Sequence, residues 1–144
     1  MKPIKVAVAV LLTNPESENE FLIVKRPPDD DYLPNVFGLP AVSIVGEELS
    51  EDAVRRVGKE KLCTDIEPTG FYGIKSTDRE TYTLILMDIE AKLAGEEPDV
   101  TKAKSENTTY TEQKWTGDLS LLKEAASKGS LCSQIVLDKN GVGY

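Results

Sequence analysis

Residues 47–60 place acids and bases at spacings that could do chemistry. The stretch EDAVRRVGKEKLC, residues 51–63, reads as an exposed helix. Within it Arg56, Lys59 and Glu60 stand at i, i+3 and i+4 and so share one face. Three carboxylates at that spacing would hold a hard, oxygen-seeking divalent ion such as magnesium or manganese. Here the face carries two cations and one acid. Unit charges about 5 Å apart at an effective dielectric near 20 interact by roughly 3 kcal/mol. Where acids at those two places would attract a metal ion, the two cations repel it by a similar amount, and Glu60 alone does not offset them.

The rest of the composition narrows the chemistry further. The chain has no histidine, which removes His-based triads, His general bases and His metal ligands. Its two cysteines, Cys63 and Cys132, form no CxxC motif and read as free thiols of a reducing cytoplasm. A net charge of −8 over 144 residues argues against a surface for nucleic acid or for anionic membranes. An anionic small molecule would need a local cation, either a metal or a few placed basic residues. The apolar run Val6–Leu12 is too short for a membrane span, lacks a cleavage-type sequence after it, and reads as a strand. The expected compartment is the cytoplasm.

The elements that must position these residues follow from periodicity and breakers. Strands are expected at Ile4–Thr13 and Phe21–Lys25, joined by the polar turn NPESENE. RPPDDDYLPN, residues 26–35, must be a loop, and short apolar pieces flank Pro40. Ser50 is the expected N-cap of the first helix, with Ala53, Val54 and Val57 inward and Gly58 out of place at a cost of about 1 kcal/mol. A strand pair is expected at Thr69–Ser76 and Thr81–Ala91, then a charged loop over 95–107 and a strand over Thr108–Thr116. Asp118–Lys128 reads as an amphipathic helix with Leu119, Leu122 and Ala126 inward, stopped by Gly129. Ser133–Asn140 reads as a last helix, with a strand at QIVLD as the alternative. The whole is one α/β domain, residues 1–144, with mixed strands and no glycine-rich phosphate loop.

At FGLPAVSIVGEELSEDAVRRVGKEKLC, residues 37–63, the sequence resembles the Nudix box of the Nudix (MutT-like) hydrolases. The box (Gly, five residues, Glu, seven residues, then Arg-Glu-aliphatic-any-Glu-Glu-any-Gly-aliphatic) lays onto residues 41–63 without a gap. Glu47, Arg55, Val57 and Glu60 match it, and Cys63 stands for the final aliphatic residue. Ala41, Arg56, Lys59 and Leu62 depart from it, which makes this a degenerate box. FLIVKRP, FGLP and YTEQKW followed by a leucine-rich helix extend the resemblance over nearly the whole chain. It implies a Nudix-type α/β/α sandwich around a central mixed β-sheet. It also implies a pyrophosphohydrolase of nucleoside diphosphate-linked compounds that uses Mg2+ or Mn2+, with Glu60 as metal ligand and Glu60, Glu47 and Glu112 as catalytic acids or bases. Glu47 and Arg55 would pair as the brace between loop and helix, and Arg26 would contact phosphate.

Because the helix face is charged +1 where the box gives −3, metal-dependent turnover is expected to be weak or absent, leaving an enzyme or a non-catalytic module that binds a nucleotide-like ligand or a protein partner. Three readings of the face stay open: a self-neutralising ladder Asp52, Arg56, Glu60; direct phosphate binding by Arg56 and Lys59 with no metal; or residual metal chemistry through Glu60 with Glu48 or Asp52 as a rearranged acid. Tyr32 and Phe37 could stack on a base, Trp115 reads as packing, and the family often dimerises.

Overall fold

The computed structural model describes residues 1–104 and 109–144. Thr108, the expected start of the last strand, lies outside them, as do residues 105–107 of the expected charged loop.

Strand β1 (Ile4–Asn14) carries the fold. Its small and β-branched residues alternate in a segment covered on both faces, as a central strand between two layers requires. Val8, Val10 and Leu12 point into one core, while Ala7, Ala9 and Leu11 point into the other. β2 (Ser17–Lys25) pairs antiparallel with β1. The expected seven-residue turn between them shrinks to Pro15 and Glu16, and the rest of the polar stretch is drawn into the ladder. β3 (Phe37–Gly38) and β4 (Ala41–Ser43) flank Pro40, β3 pairing with β2 and β4 with β1. β5 (Ile66–Asp78) and β6 (Thr83–Leu93) form a long antiparallel pair, and β6 runs parallel to β1. β7 (Glu112–Thr116) closes on β2. The sheet is therefore mixed, in the order β3-β2-β1-β6-β5, with β4 and β7 attached beside it.

Helix α1 (Ser50–Val57) covers the first core with Ala53, Val54 and Val57. Its cap position is Leu49, one residue before the expected Ser50, and no side chain caps it. On the other face, a 3-10 turn (Leu119–Leu122) and α2 (Lys123–Ser127) replace the single helix expected over 118–128. Leu122 and Ala126 are buried as expected. Asp118 caps the 3-10 turn, its carboxylate accepting from the Ser120 N–H at 3.0 Å, and this local bond tightens the first turn away from α geometry. α3 (Leu131–Lys139) settles the open choice at QIVLD in favour of helix. The architecture is a Nudix-type α/β/α sandwich.

Beyond Val57 the helix widens into one π turn (Gly58–Leu62) and stops at Cys63, which adopts the left-handed conformation at φ 56°. A π turn takes one more residue than an α turn. The residue that turns the chain is thus Cys63, one place after Leu62, where the box has its glycine.

Candidate functional site

The centre of the site is Arg56. Its Nε donates to Glu48 Oε2 at 2.9 Å and its Nη2 to Glu48 Oε1 at 3.0 Å, a bidentate pair. Nη2 also donates to the Ser43 carbonyl at 2.7 Å, and Nη1 reaches Glu60 Oε1 at 3.4 Å. The Arg56 hydrogen bond holds the Glu48 carboxyl below its usual range, against a smaller opposing effect of burial. The guanidinium is held above its own range by the same Glu48 bond.

Several expected contacts are corrected. The ladder Asp52, Arg56, Glu60 forms only in its second half, because Asp52 turns to Arg55 at 3.0 Å. The Glu47–Arg55 brace is absent. Arg55 pairs instead with Asp52 and with Glu67 on β5, while Glu47 is exposed and without a hydrogen bond or ion pair among the described residues. The link between loop and helix survives one residue along, as Glu48–Arg56. Lys59 is not among the residues lining the Arg56 cavity; its ammonium pairs with Asp65 at 2.9 Å. Glu112 sits on β7 opposite Lys25, 3.8 Å from that ammonium, and lines neither of the cavities described below. Ala41, expected to lack the freedom of a glycine, lies in the extended strand β4 and needs none. The nearby left-handed turn falls to Gly46 at φ 55°.

Arg26 and Arg56 do come together. With Lys61 and Tyr110 they line a cavity of about 360 Å³ whose floor is Ala41, Val42 and Ser43. Asp30, its side chain almost wholly buried, holds Arg26 at 3.2 Å and accepts backbone N–H groups from Tyr32 and Leu33. Burial opposes ionisation of Asp30, but those N–H groups and Arg26 keep its carboxyl below the usual range. The Tyr110 hydroxyl accepts the Ala41 N–H at 3.0 Å, and burial pushes it up to about 12, so it stays protonated.

Lys61 was missed from sequence. It falls four residues after Val57, on the inward stripe of the helix, so a cation at an apolar position was the available signal. It is 4% exposed, with its ammonium 5.9 Å from the Tyr110 ring centre. Burial lowers its pKa, Glu60 opposes that, and Arg26 and Arg56 add to it. An anion entering the cavity would oppose that lowering. Binding of a phosphate compound should therefore take up protons in the pH range where Lys61 titrates, which calorimetry in two buffers of different ionisation heat would detect; no buffer dependence across that range would count against Lys61 facing the ligand.

A second cavity, of about 490 Å³, shares Arg26 and Ala41 with the first. Its walls are largely apolar, including Leu33, Leu84, Leu86, Leu131 and Cys132, with the exposed Tyr32 on one side and Arg79 and Lys128 near the rim. Phe37, the other stacking candidate, packs instead on the second core under the Lys25 ammonium. Trp115 packs on the first core and donates to Glu97 at 2.6 Å.

The family's divalent ion does not fit this set. Among the described residues no group of three or more His, Cys, Asp or Glu side chains could hold a metal, and Glu48 and Glu60 already face a guanidinium.

No family model matches the chain, and no curated protein does. Solved structures do. A MutT protein from Methanosarcina mazei Go1 superposes with a TM-score of 0.69 at 16% identity, covering 96% of each chain. A Nudix hydrolase from Nitrosomonas europaea gives 0.68 at 18% identity over 97% of this chain and 90% of that one. An ADP-ribose pyrophosphatase from Streptococcus suis 89-1591 gives 0.59 at 18% identity over 92% and 91%. At these identities the likeness establishes the fold: this chain has the architecture of the Nudix hydrolases.

Proposed function

We propose that this protein binds a phosphate-bearing, nucleotide-like small molecule without a divalent ion, and that metal-dependent hydrolysis is weak or absent. The observation that carries the reading is the cavity bearing Arg26, Arg56 and Lys61, which borders a neighbouring apolar cavity along their shared residues Arg26 and Ala41. The first supplies the Arg26 guanidinium and the Lys61 point charge for phosphate oxygens, with Arg56, held by Glu48 and Glu60, lining the same wall. The second offers the apolar walls a base or similar ring would occupy. This is the alternative to a Nudix pyrophosphohydrolase using Mg2+ or Mn2+, in which Glu60, Glu47 and Glu112 would act. The geometry favours that enzyme less, since Glu60 is engaged by Arg56 and neither Glu47 nor Glu112 borders the cationic cavity. Lys59 is not part of the proposed ligand set. The cytoplasm remains the proposed compartment, consistent with two free cysteines and with no helix among the described residues long and apolar enough to cross a membrane. Nucleic acid is not a proposed ligand, and homodimerisation stays open.

Calorimetric titration with ADP-ribose in EDTA tests the proposal. Heat of binding should appear, unchanged by added magnesium and reduced by salt. Lys61→Met should weaken it about tenfold or more, since hydrogen bonds to charged groups are worth about 1.5–3 kcal/mol. Absence of heat with ADP-ribose and with nucleoside diphosphates, or rapid hydrolysis once magnesium is added, would overturn it.

A further inference from the structure

The oxygen atoms around Arg56 converge on a point that calls for a positive charge. Glu48 presents both carboxylate oxygens, Glu60 presents one, and Ser43 presents a main-chain carbonyl, all within 2.7–3.4 Å of guanidinium nitrogens. The acceptors come from three separate pieces of chain: β4, the loop before α1, and the π turn. Only a positive charge at their centre makes that convergence stable, because Glu48 and Glu60 would otherwise repel each other across a partly buried space. Arg56 stands at a column of the box that elsewhere carries an acid, and its long side chain carries the charge inward from the helix.

We propose that the Arg56 guanidinium is the resident cation of this fold, taking the place of the divalent ion. A side chain has replaced a dissociable ion, so the loop–helix junction is closed at any magnesium concentration. This rests on the set of oxygens alone and does not depend on whether the neighbouring cavity takes a phosphate.

The test is Mn2+ binding to the full chain, followed by the paramagnetic signal of free Mn2+ and by thermal melting in parallel. The wild type should leave the signal unchanged and melt at the same temperature with and without Mn2+. Arg56→Met should melt lower, gain Mn2+ affinity by at least tenfold, and recover stability when the ion is added. A second substitution, Glu48→Gln, should abolish that gain. Arg56→Lys, which keeps the charge, should not acquire the ion. If Arg56→Met folds only with Mn2+ present, that too supports the proposal. The proposal falls if the wild type itself binds Mn2+ in a manner dependent on Glu48 and Glu60. It falls equally if neither Arg56→Met nor Arg56→Gln gains the ion, whether folded or not.

Discussion

Asp88→Asn should make the protein more stable, by as much as about 4 kcal/mol at pH 7. Asp88 lies in the middle of β6, between Ala9 on β1 and Gly73 on β5, and is 0% exposed. It shares a sheet face with Leu84 and Leu86, on the side covered by α3. Among the described residues neither carboxyl oxygen has a hydrogen-bond partner. Burial pushes its pKa up to about 9, so it is neutral in the folded protein at pH 7 and ionised in the unfolded chain. The titratable groups that respond to its charge are Tyr72 and Cys132, both themselves shifted upward chiefly by burial. Neither is a cation that could compensate. The folded state binds the extra proton, so the charge-linked part of Asp88's cost is absent below its unfolded pKa near 3.8 and grows as pH rises towards about 9. About three pH units at 1.36 kcal/mol each set the upper figure at neutrality. Urea unfolding of wild type and variant at pH 5, 7 and 8.5 measures this. The gap between them should widen with pH; a gap that stays constant or narrows would show that Asp88 is solvated or paired.

The second large effect reverses an ordinary rule. Gly58→Ala, a change that inside a helix usually stabilises by up to about 1 kcal/mol, should here destabilise by about 1–3 kcal/mol. Gly58 is buried at the start of the π turn, and a Cβ there would meet both Ile66 Cγ1 and the Thr64 carbonyl oxygen at 2.8 Å. The isoleucine could turn aside. The carbonyl could not without moving the chain that leaves Cys63, whose left-handed turn is already restrictive for a residue with a side chain. The Thr64 N–H also donates back to the Gly58 carbonyl at 3.0 Å, so helix end and exit strand are tied at this point. A lowered melting temperature with an unchanged far-ultraviolet spectrum is the expected result. An unchanged or raised one would place this glycine among ordinary helix positions.

Much of the fold was legible because the physics was local. The apolar run Val6–Leu12 identified a strand, the Pro- and Asp-rich stretch after Lys25 identified a loop, and Gly129, at φ 100°, marked the end of a helix. The loss of a three-carboxylate face was legible as well, since helical spacing alone puts Arg56, Lys59 and Glu60 near one another. Where the side chains then went was not. Lys59 could swing outward to Asp65 and Arg56 inward to Glu48, and spacing cannot tell these apart.

Sequence by itself determined an α/β chain with a Nudix-like order of elements, a helix face of two cations and one acid, and a set of side chains without histidine. Tertiary structure alone decided that Glu48 rather than Glu47 meets the helix, that Lys61 lines the cavity, and that Asp88 is sealed in. The reason is the same in each case. Charges choose partners by through-space distance, set by how the loop before α1, the π turn and the covering helix α3 pack together. In the case of Asp88, alternation along β6 would have pointed it to water; only a second layer over that face of the sheet makes it buried.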